Sequence, residues 1–102
     1  LLVTVALFEI HIPHAQSLKE KRMVVKSLRD KLRNRFEMSV SEVALQDLHQ
    51  RARMALAFIA HDHPQADATL EKLSDFVESN TDATVAGWTV EKLEFDETAP
   101  LT

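Results

Sequence analysis

Lys19, Arg22, Lys26, Arg29 and Arg33 follow one another at intervals of three, four, three and four residues. On an α-helix, at about 100° per residue, that spacing gathers the five cations into an arc of roughly 80°. Such a strip suits one kind of chemistry above others: contact with successive phosphates, which positions a nucleic acid without reading its sequence. Glu20 and Asp30 lie off the strip, which is therefore not expected to be neutralised within the helix. Arg51 and Arg53 are a second, smaller group of candidate phosphate ligands. The other reading of such a strip is a solvated helix face.

Other polar groups promise less. His61, Asp62 and His63 could hold a metal, but two imidazoles and a carboxylate adjacent in sequence seldom converge without further ligands, and Asp62 has a sufficient role as a helix cap. No metal site is expected there. His49 beside Asp47 forms an acid/base pairing with no nucleophile or oxyanion arrangement to accompany it. With a single Gly, the chain lacks any glycine-rich phosphate cradle. With no Cys, it lacks thiolate ligands, cysteine nucleophiles and disulfides. The expectation is a domain without catalytic constellation or cofactor.

The elements that must carry these residues follow from pattern. Ser17 and Glu20 make an S-x-x-E capping box, with the glutamate expected to return to the cap residue's own N–H. Leu18, Val24, Val25, Leu28, Leu32 and Phe36 then fall within about 120°, the width of a face laid on a core. A helix over 17–36 results, with its basic arc beside the buried one. Lys21 and Arg35 also point toward the apolar arc, and their long stems are expected to snorkel outward.

Leu1 to Ile12 reads as a strand apolar on both sides, hence central, and Pro13 stops it. Met38 to Leu45 alternates as an edge strand with a bulge near Glu42, and 46–50 is a connection. Arg51 to Ala60 is a third strand, also central. Asp62 caps a second helix with Pro64 in its first turn; Ala66, Leu70, Leu73, Phe76 and Val77 form its buried stripe and Asp67, Glu71, Asp75 and Glu78 its acidic outer face. Residues 79–82 end it, and Val85 to Phe95 is a fourth strand in which Gly87 and Trp88 disturb the alternation and invite a bulge.

The order β-α-β-β-α-β is the ferredoxin-like split βαβ arrangement. Right-handed crossovers place the antiparallel strands in the order 4-1-3-2, with both helices on one face. A single α+β domain over 1–96 is expected, with 97–102 as a frayed tail. The bare face of the sheet should present Val3, Val5, Leu7, Ala55, Ala57 and Ile59, with Glu9, His11, Arg51 and Arg53 toward one end; Glu9 and Arg53 are expected to form an exposed cross-strand pair of little energetic consequence. Phe8 and Phe58 have the parity of the covered face, which argues against base stacking on the sheet. An apolar bare face suits self-association or a protein partner instead.

Charge is distributed unevenly. Residues 17–53 hold ten of the twelve Lys and Arg against five acids, while residues 54–102 hold two against ten acids. The formal total of −4 thus hides a basic half and an acidic half, and a local phosphate contact is compatible with an acidic chain. No apolar run is long enough to span a membrane and no signal-peptide arrangement is present, so a cytoplasmic location is expected.

The runs HIPHAQSLKEKR from His11, RNRF from Arg33, SVSEV from Ser39 and QDLHQRA from Gln46 together resemble the bacterial YlxP-like family over nearly the whole chain. His49 stands where that family usually has Trp. The resemblance implies a ferredoxin-like domain. Its genes often lie near those of translation initiation and ribosome assembly factors, which implies a role near RNA or the ribosome. The leading expectation is a non-enzymatic domain docking on RNA or the ribosome through the basic strip. The alternative is a homodimerisation or protein-interaction module working through the bare sheet face.

Overall fold

A computed structural model describes residues 1–102. The elements are β1 (Leu2–His11), α1 (Leu18–Arg35), β2 (Ser39–Ala44), β3 (Arg51–Ala60), α2 (His63–Ser79) and β4 (Thr84–Glu94). The four strands form one antiparallel sheet in the order β2-β3-β1-β4. This is the ferredoxin-like α+β sandwich that the pattern of elements predicts, and β1 and β3 are its central strands.

Period-two alternation decides the two faces. In β1, Leu2, Thr4, Ala6, Phe8 and Ile10 are buried beneath the helices, and in β3 Ala52, Met54, Leu56, Phe58 and Ala60 are buried on the same side. Phe8 and Phe58 are therefore covered, as their parity predicts. α1 lays Val25, Leu28 and Leu32 on this face, and α2 lays Ala66, Leu73 and Val77. Burying a side chain of this size contributes about 1.5–3 kcal/mol, so the two stripes anchor the helices. Phe36 meets Phe76 edge-on with ring centroids 5.4 Å apart, closing the core between the helices. Phe8 stacks on Trp88 at 4.5 Å and ties the outer strand β4 to the centre.

Both helix starts are capped by side chains, satisfying amides that have no partner within the helix. Ser17 Oγ accepts from the Glu20 N–H at 3.1 Å, and Asp62 Oδ1 accepts from the Gln65 N–H at 2.9 Å. The capping box departs from its expected form in one bond: the Glu20 carboxylate accepts from the Gln16 N–H at 2.7 Å instead of from Ser17. Both expected bulges are present. The β2–β3 register shifts between Glu42 and Ala44, and the β1–β4 register shifts opposite Phe8 and Glu9, where Gly87 is left over with φ +78°.

Lys21 differs from the sequence expectation. It does not snorkel; it is 1% exposed. Its ammonium donates to the carbonyls of Leu45 at 2.7 Å and Leu48 at 2.6 Å and pairs with Glu42 Oε2 at 2.8 Å. Of the ammonium's three N–H donors, two are taken by these carbonyls, and the Glu42 carboxylate lies beside it as an ion pair. The physical reason lies in the connection after β2. The bulge turns the strand, Leu45 adopts φ +64°, and the turn closed by the Leu48 N–H on the Leu45 carbonyl stands beside the Lys21 head group. The same connection is fastened to the start of α1 by Gln50, whose side-chain amide donates to the Pro13 and Ala15 carbonyls at 3.2 Å each.

Candidate nucleic-acid interface

α1 rests on the sheet beside the outer strand β2, and its basic strip overhangs that edge. The cap at Ser17 fixes where the helix begins, and the buried stripe fixes its rotation, so the strip faces outward without any contact made by its own side chains. Lys19, Arg22, Lys26 and Arg33 are exposed and Arg29 is partly buried. Lys19 and Arg22 take part in no ion pair.

The other three are engaged. Lys26 Nζ lies 2.7 Å from Asp30 Oδ2, and Arg29 Nε lies 3.8 Å from Asp30 Oδ1. The strip is therefore partly neutralised within the helix, contrary to expectation. Asp30 stands one turn beyond Lys26, the spacing at which helical side chains meet, and the Lys26 hydrogen bond holds its carboxyl below the usual aspartate range. Arg33 reaches sideways, its Nη2 donating to the Val40 carbonyl at 2.9 Å. That carbonyl points away from β3 along the free edge of the sheet. The open end of the strip is thus its first turn and a half, at Lys19 and Arg22.

Arg51 and Arg53 lie elsewhere. They sit on the bare face of the sheet, on the layer opposite α1, and they do not extend the strip. Register places Glu9 opposite Arg53 and His11 opposite Arg51. Glu9 is the base of this group: its side chain is 10% exposed, against 48% and 45% for the two arginines. Arg51 Nε and Nη2 donate to its two oxygens at 3.0 and 3.1 Å, Arg53 Nε donates at 2.9 Å, and His11 Nε2 lies 2.5 Å from Oε2. Hydrogen bonds from Arg51, then Arg53, then His11 lower its pKa to about 2. The expected exposed Glu9–Arg53 pair is instead a buried carboxylate gripped by two guanidiniums.

The remaining polar candidates stay apart. Asp62 caps α2, His63 Nε2 lies 3.7 Å from Glu94 Oε1, and His61 takes no part in that contact. No three His, Asp or Glu side chains converge as metal ligands would. Asp47 and His49 are both exposed on the connection after β2, and no hydrogen bond joins them. The residue that sequence reasoning undervalued is Lys21, which orders that connection. Its signal was present, since it falls at the middle of the apolar arc of α1.

On the remaining bare face, Val3 faces Ile59 and Leu93, Val5 faces Ala57, and Leu7 faces Ala55. Val5 and Ile59 are exposed, and Val3, Leu7, Ala55 and Ala57 are half-buried.

Fold and surface together define the class: a ferredoxin-like α+β sandwich with one basic helix, one acidic helix and an uncovered sheet. None of its helices is long and apolar enough to cross a membrane. Comparison with known families agrees with this class and makes it specific. The chain belongs to the DUF503 family, described as a protein of unknown function, whose model matches residues 3–90. It is similar to the uncharacterized protein YlxP of Bacillus subtilis (strain 168), with 35% identity over 71 residues, covering 70% of this chain and 77% of that one.

Proposed function

We propose that the chain is a non-enzymatic docking domain that settles on the phosphate backbone of structured RNA, such as that of the ribosome, through the basic side of α1. The observation that carries this reading is the outward-facing strip of Lys19, Arg22, Lys26 and Arg33, all exposed, with the partly buried Arg29 among them, which has only Asp30 as an acid partner. Cations one helical turn apart are spaced to touch successive phosphates, and contacts of this kind orient a domain without reading bases. Lys19 and Arg22 make first contact, while Lys26 exchanges Asp30 for phosphate. The acids on the outer side of α2, Asp67, Glu71, Asp75 and Glu78, repel the polyanion and set which way the domain faces. In this reading the domain works in the cytoplasm.

The non-enzymatic part is supported by the Glu9 group. Its carboxylate oxygens are taken up by Arg51, Arg53 and His11, so it has no free lone pair with which to act as a base. Binding is tested by co-sedimentation with structured RNA or ribosomes across a salt series. Four or five phosphate contacts give a slope of about −3 to −4.5 in log affinity against log salt. The Arg22→Glu, Lys26→Glu variant is expected to lose most binding and to flatten the slope by about two. Unchanged co-sedimentation together with no salt dependence refutes the reading.

A further inference from the structure

The bare face of the sheet is an apolar surface that the fold leaves in water. Residues opposite one another in a ladder share a face, so Val3, Val5, Leu7, Ile59 and Leu93 form one patch, with Ile59 71% and Leu93 57% exposed. Ala55, Ala57, Ser39 and Ser41 surround them. These small side chains keep the surface flat enough to lie against another sheet. Charge on this face is close to balanced as well: the strands present Glu9 and Glu91 against Arg51 and Arg53, and Glu37 stands beside Val3 and Ile59 at the other end.

We propose that this face receives a second copy of the chain, sheet packed on sheet, in a symmetric dimer whose helix layers lie outside. A polyanion needs a surplus of positive charge, and this face has none. A strongly acidic or basic protein finds its complement on α1 or α2. A neutral surface with an apolar centre is complementary to itself, as the two halves of an isologous interface must be.

Size agrees. Three strands of ten or eleven residues and the six-residue β2, at a rise of ~3.3 Å and a spacing of ~4.8 Å, cover roughly 590 Å². Two such faces bury about 1,200 Å², at the lower edge of the range for specific protein pairs. That size fits a reversible dimer. Glu9 enters the interface already paired with Arg51 and Arg53, so closing the face does not strand it, and Glu91, which has no ion-pair partner, lies on the outer strand β4, where the rim of the interface leaves it in water. The α1 strip lies on the opposite layer, and neither this dimer nor phosphate docking depends on the other.

Sedimentation velocity from micromolar to near-millimolar concentration tests the proposal. The wild-type mass is expected to rise from 11.6 kDa toward twice that value. Ile59→Asp, which buries a charge in the interface, is expected to weaken association about a hundredfold with an unchanged circular dichroism spectrum. A wild-type chain that stays at the monomer mass throughout overturns the proposal, and so does an Ile59→Asp chain that dimerises like wild type. Where Ile59→Asp fails to fold, a cysteine scan replaces it, since the chain has no cysteine of its own. Ala57→Cys, at the centre of the face, is expected to give a disulfide-linked dimer on mild oxidation, whereas Glu71→Cys on the outside of α2 is expected to give little. Equal cross-linking at the two positions, or none at either, refutes the sheet-to-sheet arrangement.

Discussion

Replacing Lys21 by Met keeps the length and apolar body of the side chain while removing its ammonium. The Leu45 and Leu48 carbonyls then lose a shared donor at 2.7 and 2.6 Å, and the Glu42 carboxylate loses its ion-pair partner at 2.8 Å. Glu42, only 18% exposed, is left a largely desolvated carboxylate without its cation, and the two part-buried carbonyls are left without their donor. Removing one member of a buried, hydrogen-bonded charge pair costs about 3–5 kcal/mol. The relief of no longer burying an ammonium is already contained in that figure. A domain of this size has roughly 5–15 kcal/mol of total stability, so Lys21→Met is expected to remove about a fifth of it or more and to lower Tm by at least about 12 °C. Urea unfolding followed by circular dichroism measures the change. Glu42→Gln, which keeps a neutral acceptor beside Lys21, is expected to cost about 1 kcal/mol. The double variant should cost less than the two single changes combined, by roughly 0.5–3 kcal/mol. A loss below about 1 kcal/mol for Lys21→Met would refute the reasoning, because it would mean that the three contacts only offset the cost of burying the charge.

Three further outcomes are expected. The Glu9 carboxyl titrates at about 2 in the folded chain against an ordinary value of 4.5; its contribution is complete above the unfolded value and is lost as pH falls from about 4.5 toward 2. It amounts to at most about 3 kcal/mol, reduced by solvent screening at the half-exposed arginines. Acid unfolding of Glu9→Gln should accordingly show a shallower loss of stability in that window, and a profile as steep as wild type would refute the assignment. Asp30→Asn releases Lys26 and is expected to raise RNA affinity several-fold at low salt, with a slope steeper by about one; unchanged affinity would place Lys26 outside the interface. Gly87→Ala meets no neighbouring atom within 4 Å but must adopt φ +78°, so thermal unfolding should report a loss of about 1–2 kcal/mol, with Gly87→Asn less affected.

The fold was legible because its signals are local. Arg51–Ala60 is bounded as its alternation predicts, both caps are present, and both bulges fall where Glu42 and Gly87 break the pattern. The site was legible only in outline. That the five cations share one side of α1 follows from spacing; that Asp30 takes Lys26 and the Val40 carbonyl takes Arg33 depends on side-chain conformation and on the distance from helix to edge strand. Lys21 sits at the middle of the apolar arc, so its burial could have been read. Its acceptors could not, since they depend on a left-handed leucine, and Leu45 carries none of the glycine or asparagine signal that usually marks such a position. The burial of Glu9 depends on the β1–β3 register, which brings residues 42 and 44 positions apart into contact and which no local pattern specifies.

Arg33 has a second consequence through its bond to the Val40 carbonyl. β2 is a short outer strand with polar Ser39 and Ser41, and a free outer strand offers a template on which another chain can add. The guanidinium occupies one of the acceptors that an incoming strand would use. Charge reversal at Arg33 therefore exposes a growth point for aggregation at the same time as it removes a cation from the strip, and the two losses would be confounded in any binding measurement. Lys19 and Arg22, which hold nothing else in place, are the positions at which charge can be altered without opening the side of the sheet.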